Sequence, residues 1–303
     1  MAGVITSGSN AKSLWPGVKS WFGTEYAEHP PEYSKIFKKD TDDKNYVEMV
    51  ATTSFGLAPI KTEGGAVSYD SMRQFFVNRA YHVEYALGFI VTEIAFEDNQ
   101  YKQLAKQRSR ALAFSMRQTK EIVGANVINR FATSGYVGGD GVVLGSASHP
   151  LANGSTFSNL IGTAADLSGA ALEQAGIDIA GFVNNVGLNI SIKPQSLLVH
   201  RSNMYEAQRI LKSAKEYDTA NNAINPLMGE FPKGIQVNHY LTDADAWFVL
   251  TDAQDGLTYF QRRALRLSPV ENDFDTANAK YKADERYAFT WGDPRTIYCS
   301  AGA

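Results

Sequence analysis

Wound at 100° per residue, Lys102, Lys106, Arg110, Arg117 and Lys120 fall within a sector of about 80°. Five like charges on one stripe repel each other unless they are solvated or meet an anion. Two readings follow: a solvated face or one matched by carboxylates, and weak, sequence-independent contact with a phosphate backbone. Carboxylate pairs at Asp42 and Asp43, Asp243 and Asp245, and Asp273 and Asp275 offer oxygen donors to a hard cation. No loop pattern accompanies them, so solvated turns are expected. His29, His82, His149, His200 and His239 are scattered, and none stands in a His-Glu-x-x-His arrangement. The segment from Gly135 to Gly145 lacks the Gly-Lys-Ser/Thr ending of a phosphate loop and a strand-turn-helix context for a dinucleotide. No Gly-x-Ser-x-Gly elbow occurs, and the single cysteine, Cys299, supports neither a disulfide nor a thiolate zinc cluster. No catalytic residue, cofactor or metal ligand is expected, and the chain does not read as an enzyme.

The basic stripe needs a helix to carry it. From Glu97 to roughly Thr133 no proline interrupts a pattern whose other side holds Leu104, Ala105, Ala111, Leu112, Ile122 and Val123. At ~1.5 Å per residue this helix is ~50 Å long, about the diameter of a compact chain of this length. Acidic residues at Glu97 and Asp98 suit its N-terminus. Before it, Thr53 to Phe96 reads as a β-prone arm folded about Glu63-Gly64-Gly65-Ala66. From Phe75 to Val91 a period of two predicts one strand with one buried face. An isolated two-stranded hairpin is marginal in water, so this arm is expected to pack on another copy of the chain. Lys61, Glu63, Asp70 and Arg73 flank the turn and are the expected assembly contacts.

Residues 1 to about 50 are polar, broken by Pro16, Pro30 and Pro31, and anchored by Trp15, Trp21 and Phe22; they read as an arm lying on something else. Asp166-Leu167-Ser168 offers an N-cap for a helix to about Asn184. Ser196 to His200 reads as a buried strand, Asn203 to Ser213 as a helix and Asp218 to Gly234 as a loop. Trp247 to Thr251, Leu257 to Leu267 and Tyr287 to Trp291 read as strands. The order of elements is α+β. With 303 residues, 44% of them hydrophobic, the chain can bury a sizeable core. A formal charge of −3 gives the whole molecule no electrostatic footprint for nucleic acid. No run approaches a membrane span and Met1 to Asn10 lacks the form of a secretory signal, which predicts a soluble chain made in the cytosol with no membrane partner.

The run from Gly88 to Tyr101 resembles the junction of extended loop and spine helix in the major capsid proteins of tailed bacteriophages. So do His149-Pro-Leu-Ala-Asn-Gly-Ser, Ser158-Asn-Leu, Ala165-Asp-Leu-Ser and Asn221-Asn-Ala-Ile-Asn-Pro-Leu. The last third adds Leu241-Thr-Asp-Ala-Asp-Ala-Trp-Phe, Asp255-Gly-Leu-Thr-Tyr-Phe-Gln-Arg, and Glu285-Arg-Tyr through Trp291-Gly-Asp-Pro-Arg. In this order the tracts cover about residues 75 to 302 and are most similar to the branch of the Mu-like major head subunits.

The resemblance implies the Hong Kong 97-type capsid fold. Residues 1–50 would be the N-terminal arm and 51–96 the extended loop. Residues 97–164 and 251–292 would form the peripheral domain with its spine helix, and 165–250 with 293–303 the axial domain. The implied function is the icosahedral shell around phage double-stranded DNA, assembled in the host cytoplasm from pentamers and hexamers of this one chain. Portal and scaffolding proteins, and a decoration protein in some relatives, are the implied partners. The stripe would then face the lumen and touch packaged DNA loosely. An encapsulin-type bacterial nanocompartment shell is the alternative on the same fold. The first 50 residues leave room for an arm only, so scaffold and maturation protease are expected as separate proteins. Lys61 has no recognisable acceptor asparagine for the crosslink some relatives make.

Overall fold

The computed structural model describes residues 11–28, 30–92, 101–216, 223–272 and 278–303. A first sheet has the order β1 (Lys38–Thr41), β10 (Thr258–Asn272), β11 (Ala279–Thr290), β4 (Val83–Val91); β1 and β10 are parallel and the other pairs antiparallel. Two helices cover it: α1 (Ala11–Tyr26) and the long α2 (Tyr101–Asn129). Val18 and Phe22 of α1 are buried with Ala105, Leu112, Ala113 and Met116 of α2 and Tyr281 and Ala283 of β11. The N-terminal arm therefore lies on its own chain, and its helix runs through Pro16 rather than breaking there.

A second sheet has the order β12 (Ile297–Ser300), β9 (Trp247–Thr251), β7 (Pro194–His200), β8 (Ile235–Asn238). It packs on α3 (Gly169–Ala180) and α4 (Met204–Lys212) around Leu172, Ile179, Leu197, Val199, Ile210, Trp247 and Tyr298. Ser168 caps α3 through a 3.3 Å bond from the Ala171 amide to its hydroxyl. The helix stops at Ala180, short of the expected Asn184, where the Gly181 amide closes the last turn on the Ile177 carbonyl at 3.1 Å. A further core of Phe37, Ile128, Phe131, Leu198, Phe248, Tyr259, Tyr287 and Ile297 joins the two sheets. Minor strands β5 (His149–Pro150) and β6 (Thr156–Phe157) pair with each other.

Three expectations need correction. The single strand from Phe75 to Val91 is two: β3 (Gln74–Tyr81) pairs with β2 (Tyr46–Thr52), and β4 pairs with β11, with His82 at the break. Tyr81, Val83 and Leu87 are consequently exposed although they share the apolar parity, while Tyr85 and Phe89 stack on Tyr287 and Tyr281 with ring centroids 4.7 and 4.8 Å apart. Second, β11 begins eight residues before the expected Tyr287. Its Asp284 and Glu285 are 0% and 1% exposed, and cations reach them from neighbouring elements. Third, α2 ends at Asn129, and the expected start at Glu97 lies outside the described residues.

Candidate assembly surface

Chain from Thr53 to Arg73 leaves the β2–β3 ladder and forms a projecting loop with no strand assigned. Each limb has about ten residues and a reach of at most roughly 35 Å. Its base is closed by the Thr53 amide donating to the Arg73 carbonyl at 2.9 Å and the Arg73 amide to the Thr53 hydroxyl at 3.0 Å. Midway, the Gly56 amide donates to Asp70 Oδ2 at 2.8 Å. At the far end the Gly65 amide donates to the Thr62 carbonyl at 3.0 Å, with Gly64 at φ +74°, a conformation few side chains tolerate. The expected β-arm is thus an open loop pinned at three points, since within one chain it has no sheet to join.

Lys61 and Glu63 sit in the distal turn, exposed as expected. Asp70 instead pins the limbs together, and its bonds from the Gly56 and Ser71 amides hold its carboxyl below the usual range. Arg73 lies at the base, one residue before β3. What sets the loop apart is apolar: Leu57, Ile60 and Tyr69 are 81%, 96% and 92% exposed, and Phe55, Val67 and Met72 also lie open. Six large apolar side chains on one projecting segment mark an interaction site.

Polar residues that sequence reading passed over moor the β2–β3 hairpin to the body. The Asn78 amide donates to the Trp291 carbonyl and, at 3.3 Å, to the Thr290 hydroxyl; the Asn185 amide donates to the Thr52 carbonyl at 2.9 Å. A single Asn inside the apolar run from Phe75 was the available signal. Gly139 packs so closely that a Cβ there would lie 2.5 Å from the Val77 backbone, which gives the glycine-rich segment a packing role beside this hairpin. Next to it opens a groove of about 700 Å³ lined by Tyr81, Val83, Tyr136, Val137, Arg79 and Arg130, among others. The two tyrosines and two valines of that group are each more than half exposed or at that limit.

His82 marks the pivot between β3 and β4. Its side chain is 0% exposed, neither ring nitrogen has a hydrogen-bond partner among the described residues, and Nε2 stands 3.6 Å from Asp42 Oδ2. Burial pulls its pKa below 6.5, outweighing the nearby Asp42 carboxylate, with Arg286 and Arg262 adding to the effect.

The basic stripe divides. Lys120 is buried, paired with Glu285 and 2.8 Å from the Tyr26 hydroxyl, so it cannot touch nucleic acid in this fold. Burial opposes charge on Lys120 but the Glu285 carboxylate outweighs it, and the ammonium titrates above its ordinary range. Arg117 donates to the Glu25 carbonyl at 3.2 Å, and Arg110 lies 3.9 Å from the Glu25 carboxylate with half its side chain exposed. Lys106 is exposed, and the Lys102 side chain lies outside the described residues. The stripe meets α1 and β11 because the buried face of α2 runs through Ala105, Ser109, Leu112, Met116 and Lys120, while the expected apolar Ala111 and Ile122 are exposed.

Other candidate residues serve turns and packing. Asp42 Oδ1 accepts from the Asp43 and Lys44 amides, and Asp243 Oδ1 from those of Asp245 and Ala246; Asp273 and Asp275 lie outside the described residues. His149 bonds Asp140 at 2.7 Å in a buried cluster with Asn159. His200 caps the turn at Ser202, and His239 meets Glu32 at 2.6 Å. His29 lies outside the described residues. Among the described residues no group of three or more His, Cys, Asp or Glu is placed to hold a metal, and no helix is long and apolar enough to cross a membrane.

A model of the family described as phage capsid protein matches residues 79–300. The chain belongs to that family. A capsid protein is a shell subunit, and the described fold agrees with solved shells. The capsid subunit of a native GTA particle has a TM-score of 0.55 at 14% identity over 91% of either chain. A chain from Microbacterium phage Oxtober96 has 0.53 at 11%, covering 91% of this chain and 92% of the other. The virus-like particle from Pyrococcus furiosus has 0.52 at 11%, covering 93% and 97%. At such identities the likeness establishes the fold, which is the Hong Kong 97 type. No curated protein sequence matches this capsid protein.

Proposed function

We propose that this capsid protein is the major head subunit of a tailed phage, closing pentamers and hexamers of itself into an icosahedral shell around double-stranded DNA. The observation that carries the reading is the projecting loop, whose six large apolar side chains are each more than half exposed in the described subunit. The groove beside the β2–β3 hairpin of a neighbouring copy suits them: it is lined by aromatic and apolar side chains, and its Arg130 complements Glu63 of the loop, while Arg79 is already paired with Glu48. Lys61, Glu63, Asp70 and Arg73 then act at the edge of that contact, where ion pairs contribute ~0 to 1 kcal/mol each and register more than strength. We read residues 1–50 as arm and 51–96 as loop, 97–164 with 251–292 as peripheral domain, and 165–250 with 293–303 as axial domain. The placement beside the Mu-like head subunits rests on the motifs quoted above. Portal, scaffolding and decoration proteins are the partners such a shell needs, and assembly takes place in the host cytoplasm.

This function is geometric and requires no catalysis. The fold is shared with the virus-like particle from Pyrococcus furiosus, so a nanocompartment shell is the competing reading, and the phage family match disfavours it. Electron microscopy and light scattering of the purified chain, with and without co-expressed scaffold, test the proposal. Closed shells hundreds of ångströms wide are expected; monomers or dimers under every condition would overturn it.

A further inference from the structure

The edge of the first sheet and the end of the second enclose a cleft of about 400 Å³ that the loop, the groove and the stripe leave unused. One wall is the segment from Ser34 into β1. The other holds Gln195 and Ser196 of β7, Lys233 just before β8, and the turn after β9. Lys35 and Lys38 line the first wall and Lys233 the second, and none of the three forms an ion pair with a described residue. Asp255 is the one carboxylate among the lining residues, so the cleft carries a positive excess.

The remaining polar groups divide by what they have left to give. Thr251 donates its hydroxyl to the Arg295 carbonyl at 2.6 Å and Thr296 donates to the Asp293 carbonyl at 2.8 Å, so both protons are already used. Ser196 is different. It is 1% exposed, lines the cleft, and its hydroxyl makes no hydrogen bond with any described group. The Ser196 hydroxyl proton is free to be donated into the cleft, and three exposed lysines along one cleft give it a positive potential. Both suit a single species rich in acceptor oxygens and negative charge.

We propose that this cleft binds a compact phosphate-type oxyanion, held by Lys35 and Lys38 on one side and Lys233 on the other, with the Ser196 hydroxyl donating from the floor. Lys38 opens a strand of the first sheet and Lys233 leads into a strand of the second. The bound anion therefore ties the two sheets together, and because it binds the folded chain it raises stability by mass action. The proposal does not rest on shell formation, since all its residues lie within one chain.

Calorimetric titration of the full chain with pyrophosphate and with inorganic phosphate, beside chloride at matched ionic strength, tests it. Saturable binding and a rise in unfolding temperature are expected with pyrophosphate. K38Q and K233Q should each weaken binding about tenfold or more, the loss of one charge-assisted contact. K39Q, an exposed neighbour outside the cleft, should leave binding unchanged. S196A should weaken it less, with circular dichroism checking that the variant folds. A short DNA duplex added to the pyrophosphate complex identifies the source: displacement points to backbone phosphates, retention to a free ion, and either supports the site. Equal binding by wild type, K38Q and K233Q, or a thermal rise that chloride reproduces, would overturn it.

Discussion

Lys120 and Glu285 show at single-residue scale how a charge can mislead. On a helical wheel Lys120 extends a solvent-facing stripe, yet it is 4% exposed and neutralises a carboxylate that is itself 1% exposed. Burial disfavours either charge alone, so removing one partner is worse than removing both. Lys120→Met should destabilise the chain by about 3–5 kcal/mol, and the double variant with Glu285→Leu should recover most of that, in urea melts. A Lys120→Met variant as stable as wild type would show that the pair is incidental to stability. His82 makes a second residue-scale prediction. Its folded pKa lies below 6.5, so its contribution to stability is full above about 6.5 and declines as pH falls toward the depressed native value. His82→Gln should fall in stability less than wild type between pH 7 and pH 5. The wild-type slope also includes His200, whose pKa burial lowers in the same way; an unchanged slope in the variant would exclude His82 as a contributor.

Among the elements, the loop and α2 carry the assembly argument. Loop side chains as exposed as Leu57 and Ile60 add little to the stability of their own subunit, so Leu57→Asp with Ile60→Asp should alter the melt by under about 0.5 kcal/mol while abolishing shells by light scattering. Deleting residues 61–67 should do the same. A variant that assembles normally would remove the loop from the mechanism. That α2 is a long helix, ~43 Å over Tyr101–Asn129, was legible because helical periodicity is local. Its buried face was not, because Ala111 and Ile122 are no less apolar than Ala105 and Leu112, and only the position of α1 and β11 decides which pair is covered. The extent of β11 was hidden for a related reason: alternation fails at Asp284 and Glu285, whose burial depends on Arg263, Arg266 and Lys120 brought from other elements.

At the scale of the whole molecule the shell must contain a polyanion, and Lys106 and Arg110 are the described stripe residues left with substantial exposure. If they meet packaged DNA, reversing both to Glu should preserve empty shells while lowering packaged DNA or the salt tolerance of filled particles, since phosphate contact weakens steeply with salt. Unchanged filled particles would leave the stripe as an intrachain charge network with Glu25 and Glu285.

The sequence by itself determined the class of fold, the long helix, the cap at Ser168, the strand Trp247–Thr251 and the family, because each rests on local periodicity, turn chemistry or ordered motifs. Only the tertiary structure decided that the chain from Phe75 changes sheet at His82 and that Asn78 and Asn185 moor the hairpin. It also placed Lys120 inside and brought Lys35, Lys38 and Lys233 to one cleft. Those outcomes depend on residues as far as 213 positions apart becoming neighbours, and a one-dimensional pattern carries no information about which charge will find a partner and which will be left open.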